Sequence, residues 1–86
     1  MSDKLNTLNI REIFSQNLRY YRINANLSQE KLGEMVGLSD KYMSDLERQL
    51  YDPSLKTIDS IAKALNIETY LLLKYDESHK DVPNRI

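Results

Sequence analysis

Residues 28–48 read SQEKLGEMVGLSDKYMSDLER, two short amphipathic runs with almost nothing between them. Ser28 has the chemistry of a helix N-cap and places Gln29 and Glu30 in the first turn. Glu30 there suits the positive end of the helix dipole. Leu32, Met35 and Val36 form an apolar stripe, and Gly37 is a left-handed stop. Ser39 is a second cap, and Met43 and Leu46 carry the next stripe. Helices joined by so few residues cross steeply, at roughly 90–120°. Their backbones then approach at one point. Gly33 keeps that point free of a side chain, although glycine costs about 1 kcal/mol against alanine inside a helix. Gly37 lets the chain turn through positive φ. Leu32, Val36, Leu38, Met43 and Leu46 are expected to face inward. Asp40, Lys41, Ser44, Asp45 and Arg48 are left outward, on a polar helix of a width that fits a DNA major groove.

The flanks extend the same pattern. Asn9 followed by Glu12 has capping-box spacing. Ile10, Ile13, Phe14, Leu18, Tyr21 and Ala25 keep a helical period, and Asn26 is a left-handed stop. The stretch LYDPSL at 50–55 reads as a turn, with Asp52 or Ser54 as cap and Pro53 preset for the first turn. Leu55, Ile58, Ile61, Ala62 and Leu65 supply the buried face of the next helix, and Asn66 repeats the stop. IETYLLLKY, 67–75, is expected to form a short fifth helix. The fold class is therefore all-α, with five helices in one domain over 9–75. Residues 1–8 are expected to be a flexible N-terminal segment and 76–86 a flexible polar tail.

Composition narrows the function. The chain of 86 residues has no cysteine, which removes a disulfide frame and a thiolate metal site. No apolar run approaches the roughly 20 residues of a membrane span, and the N-terminus lacks a signal pattern. A soluble, cytoplasmic protein is expected. The net charge of −1 argues mildly against a nucleic-acid binder, but one face can be positive while the total is not. His79 stands alone with no partner pattern, so no metal or catalytic role is read into it. There is no Ser/His/Asp set, phosphate loop or glycine fingerprint. No enzyme activity, cofactor, metal or small-molecule substrate is expected.

The run from Gln29 to Glu47 resembles the helix-turn-helix of the Cro/repressor (XRE) family, the lambda-repressor-like fold. The similarity lies in Gln29, the small residue Gly33, the turn residue Gly37, the apolar positions 32, 36, 38, 43 and 46, and the closing "LER". "LRYYRINANLSQEKL" and "DPSLKTIDSIAKALNI" are similar to the flanking helices of that family. By size, controller proteins of restriction-modification systems and small phage-type repressors are the nearest types. The resemblance implies a sequence-specific, double-stranded DNA-binding transcription regulator, a repressor acting as a homodimer on a palindromic operator.

By position, it implies base contacts from Ser39, Asp40, Lys41, Ser44 and Asp45. It implies phosphate contacts from Ser28, Gln29, Tyr42, Arg48, Tyr51, Ser54, Lys56 and Arg19. Arg22 and Glu47 match a structural ion pair of the family. Two features depart from it. Asp40 and Asp45 stand where Arg, Gln or Ser is common, and Gln49 stands where glycine is common. Two acidic residues near phosphates are repulsive. They fit either rejection of sites lacking a donor or a DNA face turned to another use. Lys41 and Arg48 also fit plain solvated charges.

Three consecutive leucines, 71–73, cannot all face one core, so a dimer interface is expected at Tyr70, Leu71, Leu73 and Tyr75. The other reading is that this segment simply lies over the core. The rival function is an antitoxin or protein-binding adaptor with the same fold, whose protein partner would be a toxin or a regulator.

Overall fold

The computed structural model describes residues 9–83. Four helices begin in the same way, with a side-chain oxygen accepting the backbone N–H three residues on. Asn9 Oδ1 takes Glu12 N–H at 2.8 Å, Ser28 Oγ takes Lys31 N–H at 3.0 Å, Ser39 Oγ takes Tyr42 N–H at 3.0 Å, and Ser54 Oγ takes Thr57 N–H at 3.1 Å. Each bond satisfies a donor that has no partner within the helix, worth about 1 kcal/mol. The helices so opened are α1 (Ile10–Asn24), α2 (Gln29–Val36), α3 (Asp40–Glu47) and α4 (Leu55–Ala64). Left-handed residues follow them: Asn26 at φ 59°, Gly37 at 75°, Gln49 at 66° and Asn66 at 58°. Gln49 thus adopts the left-handed conformation that glycine supplies most readily, despite its side chain.

Ser54, not Asp52, caps α4, so Pro53 precedes the cap rather than entering the first turn. Asp52 is engaged elsewhere. Arg11 Nε and Nη2 donate to its two carboxylate oxygens at 2.7 and 3.0 Å, and Arg11 Nη1 donates to the Gln49 carbonyl at 3.4 Å. That fork ties the start of α1 to the loop that leaves α3.

Phe14, Leu18, Leu32, Met43, Leu46, Ile58, Ile61, Ala62, Leu65 and Leu72 form one core cluster. Four residues expected on apolar stripes are exposed: Ile10, Ala25, Met35 and Leu55, the last at 81%. Ile10 and Leu55 each open a helix, where the first turn overhangs the core.

The fifth helix is a correction. Residues 69–72 form a single 3₁₀ turn, Thr69–Leu72, so the described residues hold four α-helices and not five. The backbone bonds of this turn reach back three residues and not four: Leu71 N–H donates to the Glu68 carbonyl and Leu73 N–H to the Tyr70 carbonyl, both at 3.0 Å. The Asn17 amide nitrogen of α1 donates to the carbonyls of Leu72 and Lys74 at 2.9 and 2.8 Å and fastens the end of this turn.

The polar tail is a second correction. Residues 76–83 dock on α1 instead of fraying, with His79 and Val82 buried. A 3₁₀ turn, Glu77–His79, starts at Asp76, whose carboxylate accepts from Ser78 N–H and Oγ–H. The His79 ring stacks on Tyr20 with centroids 3.6 Å apart and meets the edge of Tyr21 at 5.3 Å. Both Asn17 N–H groups serve carbonyls, so Asn17 Oδ1 faces the imidazole and His79 Nδ1–H donates to it at 2.7 Å. The expectations for residues 1–8 and 84–86 lie outside the described residues.

Burial pushes the His79 imidazole below its ordinary value, with the Asp76 carboxylate opposing. The folded state therefore prefers the neutral ring. Its stabilising contribution is complete above the unfolded value, about 6.5, and is lost as pH falls toward the folded one. Protection from hydrogen exchange at residues 73–82, taken relative to the intrinsic rate at each pH, is expected to fall as pH drops from about 7.5 to about 5. In His79→Asn that pH dependence should disappear. Carboxylates titrate nearer 4 and leave this window clear.

Candidate nucleic-acid interface

The placement of α3 begins at Gly33. A Cβ on this residue would lie 2.4 Å from the Leu38 carbonyl oxygen, a backbone atom that cannot yield. Leu38 N–H donates to the Gly33 carbonyl at 2.8 Å, closing the turn through Gly37. The two motif helices therefore meet at backbone distance. Met43 and Leu46 seal the inner side of α3 in the core, while Leu38 and Val36 pack at its margin.

The far end of α3 is fastened by a buried ion pair. Arg22 Nε donates to Glu47 Oε2 at 2.6 Å and Nη2 donates to Oε1 at 3.0 Å, with both side chains 5% exposed. Arg22 Nη1 also donates to the Leu27 carbonyl at 2.9 Å, and Gln29 Nε2 donates to Glu47 Oε1 at 3.2 Å. The pair expected from the residues is thus present as a fork. Gln29, expected at a phosphate, braces Glu47 from the start of α2.

Ser39, Asp40 and Lys41 are exposed at the start of α3, Ser44 is half-buried, and Arg48 is exposed at its end. The Lys41 side chain is 82% exposed and that of Arg48 66%. Asp45 departs from the expected set. It is 4% exposed, with Lys41 Nζ 3.1 Å from Oδ2 and Arg48 Nη1 3.5 Å from Oδ1. Its carboxylate is thus already engaged by two mostly exposed cations from its own stretch of chain.

The expected phosphate set is spread over several surfaces. Arg19, Ser28, Gln29 and Asp40 line one shallow polar hollow with Arg22, Glu30 and Glu47. Tyr42 and Tyr51 stack with ring centroids 6.0 Å apart. Ser54 caps α4, and Lys56 lines a separate hollow with Val36, Leu38, Thr57 and Ser60. In the expected pairing segment, Leu72 is buried, Leu71 and Leu73 are half-buried, and Tyr70 is exposed. Leu73 packs against the core. The Tyr75 hydroxyl donates to Glu77 at 3.2 Å.

Three positioning residues escaped the sequence reading: Arg11, Asp52 and Asn17. Their partners lie 38 to 62 positions away along the chain. No local pattern marks such pairs. Among the described residues, no group of three or more His, Cys, Asp or Glu could hold a metal ion, and no helix is long and apolar enough to cross a membrane.

Comparison with known proteins agrees with this geometry. Residues 18–72 match the family described as Helix-turn-helix. The chain is 42% identical to the control protein C.SmaI of Serratia marcescens, over 77% of this chain and 79% of that one. It is 41% identical to the control protein C.BamHI of Bacillus amyloliquefaciens, over 80% and 86%. It superposes on the crystal structure of the restriction-modification controller protein C.AhdI from Aeromonas hydrophila with a TM-score of 0.69 and 39% identity, covering 72% and 90%. The capped helix pair around Gly33, the Arg22–Glu47 fork and these similarities agree: the chain belongs to the Cro/repressor-type helix-turn-helix family of DNA-binding transcription regulators.

Proposed function

We propose that the protein represses transcription by binding a palindromic operator as a homodimer, each protomer inserting α3 into a major groove. The observation that carries this reading is the bare outer side of α3, where Lys41 and Arg48 stand in solvent while the opposite side is sealed in the core. Ser39, Asp40, Lys41 and Ser44 face the base edges. Lys41 donates to guanine O6 or N7, and Asp40 accepts from cytosine N4. Ser28, Gln29, Arg19, Tyr42, Tyr51, Ser54, Lys56 and Arg48 meet the sugar–phosphate backbone, which supplies much of the affinity. Tyr70, Leu71, Leu73 and Tyr75 form the pairing surface, and the half-sites lie about 34–36 Å apart. Similarity to control proteins supports a role at a promoter.

The test is selection of bound duplexes from a random pool, followed by salt titration of the selected site. Two-fold symmetric sequences and an affinity that falls as salt rises are expected. Lys41→Ala should lose sequence preference more than total affinity. Arg48→Ala should weaken all sequences alike and reduce the salt slope by about one. Binding that ignores both salt and sequence would rule the reading out.

A further inference from the structure

Asp45 is the anomaly of the reading helix. A carboxylate at this register would repel phosphates if it were open, yet it is almost wholly covered by its own neighbours. Each of its oxygens faces one cation: Lys41 Nζ at 3.1 Å from Oδ2, and Arg48 Nη1 at 3.5 Å from Oδ1. Those two cations are among the most exposed groups on α3. The arrangement is a hidden anion holding two exposed cations at fixed places on one helix.

We propose that Asp45 is a positioning residue that sets sequence discrimination by tethering Lys41 and, more loosely, Arg48. This rests on the DNA-binding reading above and goes beyond it. An unrestrained lysine swings on a four-carbon stem and can reach whichever phosphate is nearest, a contact that carries no sequence information. A tethered ammonium keeps one N–H on Asp45 and has two left to donate. Projecting from α3, those two meet paired acceptors at guanine O6 and N7, whereas adenine presents its N6 amino group, donor against donor. A move to phosphate would strip the buried carboxylate of its nearest counter-charge, which is unfavourable because a buried charge needs a partner. The tether therefore penalises sequence-blind contacts and leaves the guanine contact intact. It also explains how a helix with Asp40 and Asp45 in its outward register can face DNA: the second is buried and neutralised by the cations it holds.

The experiment compares wild type, Asp45→Asn, Asp45→Glu, Lys41→Gln and the double variant Lys41→Gln/Asp45→Asn, all full length. Each is titrated with the selected operator and with a scrambled duplex across a range of salt. Asp45→Asn removes the charge at constant shape and frees both cations. Scrambled-duplex affinity is expected to rise, the operator-to-scrambled ratio to fall about tenfold, and the salt slope to steepen by about one. Asp45→Glu, which keeps an acceptor for the ammonium, should retain most of the ratio. In the Lys41→Gln background, Asp45→Asn should leave the ratio where it is. An unchanged ratio in Asp45→Asn overturns the proposal. So does an equal fall in the Lys41→Gln background, which would make Asp45 a direct base contact. If wild type itself shows no salt-dependent preference, the DNA-binding reading fails first, before any variant is considered.

Discussion

Arg22→Ala is expected to destabilise the protein by about 3–5 kcal/mol, the usual cost of removing one partner from a buried ion pair. The Glu47 side chain, 5% exposed in the intact protein, would keep the Gln29 amide but lose its counter-charge, and the Leu27 carbonyl would lose its side-chain donor. A domain of this size has only about 5–15 kcal/mol of stability in total, so a large share disappears. Urea unfolding followed by circular dichroism measures it as a fall in midpoint at little change in slope. Glu47→Ala should behave alike, leaving the guanidinium unpaired. The informative comparison is the double variant Arg22→Met/Glu47→Leu, which removes both charges and fills the space. It should recover most of the loss, because the penalty arises from the orphaned charge more than from the bond itself. If the double variant is as unstable as the sum of the two alanine variants, the cause is lost packing and not an uncompensated charge.

Gly33→Ala is the second large effect, and its sign runs against helix propensity. Alanine is favoured over glycine in a helix interior by about 1 kcal/mol. Here, however, the added carbon would sit 2.4 Å from the Leu38 carbonyl oxygen, with the Met43 side chain 3.4 Å away. The oxygen belongs to the backbone of the turn, so relief requires moving α3 itself. Overpacking of this kind costs about 1–3 kcal/mol. After the propensity gain a net loss of about 1 kcal/mol is expected, up to about 2, and thermal unfolding should drop by roughly 5–10 °C. Measured above its new midpoint the variant would bind nothing. Below it, the displaced α3 should show weaker operator affinity than a merely destabilised protein, such as Ile61→Val, at the same fraction folded. A Gly33→Ala variant as stable as wild type would mean that the turn yields freely.

The four helices were legible because their signals are local. Asn9, Ser28, Ser39 and Ser54 each act on a backbone N–H three residues away, and Asn26, Gly37 and Asn66 act on their own φ. The Arg22–Glu47 pair was legible through family resemblance, although its 25-residue separation gives no local signal. What escaped depends on polar residues buried by distant partners. Asn17 is 1% exposed in the middle of α1, where a search for apolar stripes passes over it. Its amide nitrogen holds the Leu72 and Lys74 carbonyls and its oxygen receives His79, so one unnoticed side chain fastens both the 3₁₀ turn and the tail to α1. Asp45 escaped for another reason. Its helical register matches the outward set, and register alone shows neither its burial nor its pairing with Lys41 and Arg48.

Asn17 and Arg22 sit five positions apart on α1, about 7.5 Å along its axis. The first grips the segment proposed to join two copies, and the second grips the end of the reading helix. In the proposed dimer each copy is then one arm of a caliper whose jaw and pivot are riveted to the same bar. The gap between the jaws would be set within each folded copy, and a site with one surplus base pair at its centre is expected to bind more weakly, by length and rotation, even when every base is correct.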